Sequence, residues 1–91
     1  MREIKWRKIA LDDLLGIVDY IASDNPDAAQ RLHDEIKQKV STLAENPLLY
    51  RTGRVPDTRE MTVRNHYVVI YGFDEKKVYV LRVLHTAQSW P

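Results

Sequence analysis

The feature that most limits how this chain can fold is the segment from Arg59 to Trp90, in which runs rich in Val, Ile and Tyr are separated by two turn signals. These turns are predicted at Asn65-His66 and at Asp74–Lys77, because polar, turn-forming residues interrupt runs of strand-forming residues there. The segment therefore predicts three consecutive antiparallel strands. We expect the rest of the chain mainly to cover one side of that sheet.

The predicted turns also fix a strand register. A two-residue turn at Asn65-His66 pairs Val63 with Val68, and the second turn pairs Tyr71 with Val80 and His66 with His85. Because strand side chains alternate in direction, the pairs divide into two faces. The face predicted to be buried carries Met61, Val63, Val68, Ile70, Leu81 and Val83, with Tyr79, His66 and His85 at its ends. The face predicted to be open to a partner carries Glu60, Thr62, Arg64, Tyr67, Val69, Tyr71, Val80 and Arg82.

Two amphipathic helices are predicted before this sheet. After a short strand at Glu3–Trp6, apolar residues recur at helical spacing from Lys8 to about Asp24, with acidic residues on the other side. Asn25-Pro26-Asp27 is a strong helix start, and Pro47 stops the helix that follows it. So short a connection predicts an antiparallel helical hairpin. The acidic residues of the first helix are Asp12, Asp13 and Asp19, and the apolar positions of the second are Ala29, Leu32, Ile36, Val40, Leu43 and Ala44.

Length and composition narrow the class of protein. A chain of 91 residues predicts one domain spanning 1–91, which folds without a metal, a cofactor or disulfides. The absence of cysteine fits a reducing compartment. No apolar run is long enough to span a bilayer, and the first residues are charged where a signal peptide is apolar, so we expect a cytoplasmic protein without a membrane partner.

The charge is divided unevenly along the chain. Residues 1–46 carry seven Lys/Arg against nine Asp/Glu, whereas residues 47–91 carry seven against four. The segment Leu48–Thr58 is predicted to be a loop, and it contributes Arg51 and Arg54, with Arg59 just beyond. These arginines either follow a phosphate backbone or an acidic partner, or simply keep the loop soluble. Trp90 is either an anchor folded back on the body or apolar surface left for a partner.

Several motifs, in this order, resemble those of the RelE/ParE superfamily of bacterial type II toxins, especially its ParE-like branch. They are DNPDAAQRL at 24–32, LAENP at 43–47, GRVPDTREM at 53–61, HYVVIYGF at 66–73 and LRVLHTAQSWP at 81–91. The resemblance covers nearly the whole chain. It implies an α+β fold in which an N-terminal antiparallel helical hairpin packs on one face of a small antiparallel sheet.

The resemblance also implies partners. A toxin of this superfamily is neutralised by a cognate antitoxin in a tight complex, and the complex contacts operator DNA through the antitoxin. ParE-like members resemble inhibitors of DNA gyrase, whereas RelE-like members resemble nucleases that cut mRNA on the ribosome. We expect the contact surface for the antitoxin or the target to include Arg54, Arg59, Arg64, Tyr67, Tyr71, Arg82 and Trp90.

Chemistry favours the gyrase inhibitor. Cutting RNA through its 2′-hydroxyl needs a base, an acid and cations for the phosphate. Candidates for a nuclease site are Arg64, Arg82, His85 and Glu60, with Tyr67 and Tyr71 as further proton carriers. However, Arg82 and His85 stand three residues apart on one strand, so their side chains point to opposite faces unless a bulge intervenes. We therefore interpret His85 as structural, assign no catalytic residue, and keep the mRNA endoribonuclease as the alternative.

Overall fold

The fold consists of two helices and five strands, seen in a computed structural model that describes residues 1–88 and Trp90. The elements are β1 Glu3–Trp6, α1 Lys8–Ala22, α2 Pro26–Ser41, β2 Arg51–Thr52, β3 Arg59–Val63, β4 Tyr67–Phe73 and β5 Lys77–His85. Both helices pack on one face of a single sheet, and a short 3₁₀ turn at Thr42–Ala44 extends α2. The predicted α+β architecture is confirmed.

The start of α2 follows from its local sequence. Asn25 has an extended backbone and accepts a hydrogen bond from the Ala28 N–H at 3.0 Å, while Pro26 is the first helical residue. The predicted apolar positions of this helix and of the turn after it are all buried: Ala29, Leu32, Ile36, Val40, Leu43 and Ala44. The prediction for the second helix is therefore confirmed, although its α-helical part ends at Ser41.

Helix α1 turns a somewhat different side to the sheet than its apolar pattern predicts. Ala10 and Leu14 are buried, whereas Leu11 and Leu15 are 37% and 54% exposed. Asp13, predicted to lie on the solvent side, reaches the sheet instead. The extra apolar residues of α1 broadened the predicted stripe, and so the sequence alone placed its centre wrongly.

The sheet has the strand order β1-β5-β4-β3-β2. Strands β2 to β5 are paired antiparallel, as predicted for β3 to β5, while β1 joins β5 in parallel and makes the sheet mixed. The predicted strand at Glu3–Trp6 is confirmed. The short β2 lies within the segment predicted to be a loop, where Arg51 pairs with Glu60 and Thr52 with Arg59.

The predicted register between β3 and β4 is wrong by one residue. Val63 pairs with Tyr67 rather than Val68, because the turn is centred on Arg64 and Asn65, with φ of 55° and 59°. The His66 N–H closes this turn on the Val63 carbonyl at 3.2 Å. Left-handed conformations at both central residues give a turn that matches the twist of a hairpin, and Asn adopts them readily but Arg rarely does. A one-residue shift turns every side chain of β4 to the other face.

A bulge changes the second pairing. Tyr71 pairs with Val80 as predicted, but the next pair is Ile70 with Arg82, which leaves Leu81 as an extra residue on β5. An extra residue reverses the alternation from that point on. Val78 and Val80 before the bulge therefore face the helices, and so does Val83 after it.

Together these two events redistribute the faces. Met61, Val63 and Val83 face the helices as predicted. Val69, Tyr71 and Val80, which were predicted to be open, join them in the core, so those three predictions are wrong. Val68 and Ile70 lie on the outer face instead, where Ile70 and Leu84 are only 1% and 3% exposed. The outer face thus has an apolar patch of its own.

Candidate functional site

Arg82 is held by Asp13 at the edge of β5. Its Nε and Nη2 donate to the two carboxylate oxygens of Asp13 at 2.7 and 3.0 Å, and the Val83 N–H donates to the same carboxylate at 3.0 Å. The two side chains are only 27% and 15% exposed. The hydrogen bond to Asp13 raises the pKa of Arg82 above its ordinary value. Helix α1 is therefore fastened to β5 by a bidentate ion pair that also satisfies a backbone N–H.

His85 lies at the end of β5, where it is exposed to solvent. Its ring stacks on His66 at 6.4 Å between centroids and meets the Tyr67 ring edge to face at 5.7 Å. The Ala87 N–H donates to its Nδ1 at 3.1 Å, which assigns the proton of the neutral ring to Nε2. His85 and Val83 line the same helix-side groove, in agreement with the predicted direction of His85.

The other charged nuclease candidates are paired with separate partners. Glu60 accepts a hydrogen bond from Arg51 at 3.0 Å, and its side chain is 12% exposed. Arg64 reaches back to α2, where it binds Glu35 at 2.7 Å and lowers the pKa of that carboxyl group. Arg64 therefore belongs to the contact between the hairpin turn and α2, and the prediction that it lies on the open face is wrong.

Arg54 and Arg59 have different environments. Arg59 donates to the Tyr50 carbonyl at 2.7 Å and lies 6.0 Å from the centre of the Phe73 ring, so it holds the loop before β2. Arg54 is exposed and lines a small outer pocket of about 80 Å³ with Trp90. Arg51 is exposed beside the same pocket but is paired with Glu60, so both predicted loop arginines lie at the outer face.

The two tyrosines predicted for the open surface lie on the helix side. Tyr71 is fully buried in the core and donates to the Pro47 carbonyl at 2.6 Å. Burial raises its pKa to about 12, although Arg59 nearby favours the ionised form. Tyr67 is half-buried against the core. The prediction that Tyr71 is part of an exposed contact surface is therefore wrong.

Trp90 is half-buried against the outer face. It lines the small outer pocket together with Ile70 and Leu84, and the Arg82 guanidinium lies 5.8 Å from the centre of its ring. Its indole Nε1 is buried and has no hydrogen-bond partner among residues 1–88 and Trp90 itself. Of the two predicted roles for Trp90, this position favours the anchor.

The candidate nuclease residues are thus not brought together in one site. Within the described part of the chain, no hydrogen bond joins Arg82 to His85, and the partners of Arg82, His85 and Glu60 are all different. No group of three or more His, Asp or Glu side chains in residues 1–88 could hold a metal ion. Asp13, the partner of Arg82, was not among the predicted site residues, because the spacing of α1 places it on the side opposite the predicted apolar stripe.

A groove that the sequence did not predict runs between α1 and the ends of β4 and β5. Its volume is about 530 Å³. We call it the α1–β5 groove. It is lined by Asp12, Asp13, Gly16, Ile17, Tyr20, Ile21, Tyr67, Val83, His85 and Gln88. Tyr20 is 82% exposed at its rim.

None of the helices described here is long and apolar enough to cross a membrane.

Comparisons with known proteins point to one family. Residues 4–90 match the sequence model described as the ParE toxin of the type II toxin-antitoxin system parDE. A Sinorhizobium fredii protein named as putative toxin Y4kP is 38% identical over 91 residues, covering 99% of this chain and 94% of that protein. Toxin RelE2 of Caulobacter vibrioides is 36% identical, covering 97% and 99%. A chain of the solved chromosomal ParDE TA system from P. aeruginosa has a TM-score of 0.84 at 25% identity, covering 93% of this chain and 96% of that chain.

Proposed function

This chain belongs to the ParE toxin family of type II toxin–antitoxin systems, and we propose that it acts by inhibiting DNA gyrase rather than by cutting RNA. The family match spans residues 4–90, and its membership implies a cognate antitoxin as partner. The target is a separate question, because the names of its relatives come from both the ParE and the RelE branches.

The observation that carries the proposal is that the groups RNA cleavage would need are bound to different partners. Such cleavage needs a proton acceptor beside the 2′-hydroxyl and cations beside the same phosphate. Here the Arg82 guanidinium is neutralised by Asp13, while the His85 imidazole lies in the helix-side groove. Because Asp13 already balances the charge of Arg82, this side chain does not supply a free cation for a phosphate beside the His85 imidazole.

The remaining proton carriers support the same conclusion. Glu60 is engaged by Arg51, and the Tyr71 hydroxyl is bound to a backbone carbonyl in the core. A pKa of about 12 keeps Tyr71 protonated at neutral pH, so it is not a general base. We therefore infer that this toxin works by binding its target, a mechanism that needs no proton transfer.

The cellular setting follows from the same proposal. We infer that the toxin acts in the cytoplasm, where gyrase and DNA are found, and that its complex with the antitoxin contacts operator DNA only through the antitoxin. The contact surface for gyrase is proposed to include the exposed Arg54, next to the anchored Trp90.

The test is a pair of assays on the purified toxin. One measures supercoiling and DNA cleavage by gyrase, and the other maps cuts in mRNA during translation, each with and without the antitoxin. We expect gyrase inhibition that the antitoxin reverses, together with intact mRNA. Codon-positioned cuts that disappear in His85→Gln but not in the matched variant His33→Gln would instead support the ribosome-dependent endoribonuclease. Activity in neither assay would contradict both mechanisms and indicate a toxin relic kept as a binding module.

A further inference from the structure

The loop between Pro47 and Tyr50, which we call the 47–50 loop, displays two large apolar side chains to solvent. Leu48 and Leu49 are 66% and 71% exposed, although they are neighbours in the sequence. Scattered exposed leucines are ordinary, but apolar side chains that cluster on a loop mark a contact surface. Both leucines line a cavity of about 410 Å³, and Arg2 lines it with them.

Contacts from the sheet hold both ends of the 47–50 loop. The Tyr71 hydroxyl donates to the Pro47 carbonyl at 2.6 Å, and the Arg59 guanidinium donates to the Tyr50 carbonyl at 2.7 Å. The two leucines between these contacts are therefore presented on a fixed backbone without being buried. A surface that is already ordered loses little conformational entropy when a partner binds to it.

Two arginines border the loop, and both lie against the Phe73 ring. The guanidinium groups of Arg2 and Arg59 lie 5.3 and 6.0 Å from the centre of this ring. Arg2 is held in place by the Asp74 carbonyl, to which its Nε donates at 2.7 Å. Within the described part of the chain, neither arginine forms an ion pair with a carboxylate. Each therefore keeps a positive charge that a partner can neutralise.

The acidic groups near this surface do not balance the two arginines. The Asp74 carboxylate accepts from the N–H groups of Lys76 and Lys77, each at 2.8 Å, and these bonds hold its pKa below the ordinary value. The turn Asp74–Lys77 has two carboxylates and two lysines, so it adds no net charge. Glu45, which lines the cavity, is one carboxylate against two guanidinium groups.

The combination of exposed leucines and unpaired cations indicates the chemistry of the partner. Carboxylates match the arginines, and apolar side chains match the leucines. A nucleic acid fits less well, because phosphates would pair with the arginines but would leave the leucines uncovered, and interfaces with DNA are more polar than this surface. The surface therefore suits an acidic protein segment that also carries apolar residues.

The same surface continues into the loop that carries Arg54. Thr52 and Gly53 line one pocket with Arg59 and Phe73, and they line a second pocket with Arg54. A single partner can therefore cover both the 47–50 loop and the arginine proposed above as a gyrase contact.

We propose that the 47–50 loop, together with Arg2 and Arg59, is a surface through which this toxin binds gyrase, and that gyrase contributes an acidic segment with apolar residues. The apolar residues of that segment cover Leu48 and Leu49, and its carboxylates pair with the two arginines. This inference rests on gyrase as the proposed target, and it adds the contact surface and the chemistry of the contact.

The main test compares Leu49→Glu with Leu49→Lys, measured as affinity of the purified toxin for gyrase and as inhibition of supercoiling. The side chain is mostly exposed, so both variants should fold, and unchanged affinity for the antitoxin checks this. Glutamate repels an acidic partner and should weaken both readouts roughly 30-fold or more, as for the loss of an interface centre. Lysine keeps an apolar stem and adds a cation, so it should change them by less than about threefold. The matched control is Leu15→Glu, at an exposed leucine of α1, which should also change them by less than about threefold.

Further measurements separate the possible occupants of this surface. Binding of the wild type to gyrase should weaken as salt rises, and Arg2→Gln should reduce that dependence. Wild-type affinity of Leu49→Glu for gyrase, or equal weakening by the two Leu49 variants, would overturn the inference. A loss confined to antitoxin binding, or binding of DNA alone that Arg2→Gln abolishes while gyrase inhibition persists, would overturn it as well. If the wild type itself did not inhibit gyrase, the proposed target would be wrong and this inference with it, so the two failures are distinguishable.

Discussion

On the edge of β5 that faces away from β4, the backbone groups at the two ends of the strand find their hydrogen-bond partners in different ways. At the first end, β1 covers Lys77–Val80 with a regular ladder of backbone hydrogen bonds. At the second end, Asp13 and Gln88 do the same for Val83 and His85 with single side chains. A side chain is narrower than a strand, and the α1–β5 groove opens beside this second end. The comparison shows how one edge can be both closed to further strands and open to side chains.

The loop from Pro47 to Tyr50, near the first end of β5, is held by side chains of the sheet. The core residue Tyr71 binds the Pro47 carbonyl and Arg59 binds the Tyr50 carbonyl, while Leu48 and Leu49 remain 66% and 71% exposed. At the second end the fixing contact is the ion pair of Asp13 with Arg82. Each end therefore depends on a polar contact that a single substitution removes, and we expect the two ends to respond differently.

The largest effect is expected for Asp13→Ala at the second end. It leaves the Arg82 guanidinium and the Val83 N–H without their acceptor in a place that is mostly shielded from water, so we expect a loss of about 2–4 kcal/mol in the free energy of unfolding. Urea unfolding measures it. Glu35→Ala is the matched control. It removes the partner of Arg64 in an ion pair that is more exposed than the Asp13–Arg82 pair, so it should lower the free energy of unfolding much less. Equal losses in the two variants would contradict the special role of Asp13.

Alkaline pH should weaken the first end through Tyr71. Its pKa in the folded protein is raised from 10.0 to about 12, so the unfolded chain loses this proton first as the pH rises. Stability from this group is complete below pH 10 and falls between about pH 10 and about pH 12, by on the order of 2 kcal/mol. Urea unfolding of wild type and Tyr71→Phe across this range measures it. Tyr71→Phe should be less stable than the wild type at pH 8, but its free energy of unfolding should fall less between pH 10 and pH 12. An equal fall in both proteins would show that Tyr71 is not the group responsible.

The smallest effect is expected for Gln88→Ala at the second end. Water can replace the lost acceptor of the exposed His85 N–H, so global stability should change little. Local opening should become easier, and hydrogen exchange of the His85 amide should accelerate roughly tenfold. The Val83 amide, held by Asp13, serves as the internal control and should exchange as in the wild type. Faster exchange at both amides would mean that the hydrogen bonds of Asp13 to Val83 and of Gln88 to His85 open together.

The two helices and the meander of β3, β4 and β5 were predictable because long patterns specify them, whereas β2 and the parallel place of β1 beside β5 were not predicted. The second helix has its apolar residues at regular spacing between Asn25-Pro26 and Pro47, and each strand of the meander is bounded by turn residues. The register was not predictable, because each error is a single-residue event. The left-handed conformation of Arg64 shifts the first turn by one residue from its predicted place. The extra residue Leu81 changes the pairing between β4 and β5. Val68, Val69 and Ile70 are all apolar, so the pattern of β4 did not reveal which side faces the helices.

The candidate site was predicted less well for the same reason. The face of Tyr71 followed from the register, and it was reversed with it. The direction of His85 survived because two errors cancel. The turn shift reversed β4 and the first half of β5, and the extra Leu81 reversed the alternation again before His85. Asp13 could not be recognised as the partner of Arg82, since the two residues are 69 positions apart and nothing in the spacing of α1 links them.

The claim that this toxin blocks its target by binding alone is tested most directly by the double variant His85→Gln/Glu60→Gln, induced in cells without antitoxin. Glutamine keeps a polar side chain at both positions, and its amide oxygen at position 60 would still accept a hydrogen bond from Arg51. We predict that the variant arrests growth as strongly as the wild type, at equal protein levels. Full growth, with thermal stability and antitoxin binding intact, would contradict the account and show that proton transfer is part of the toxic activity.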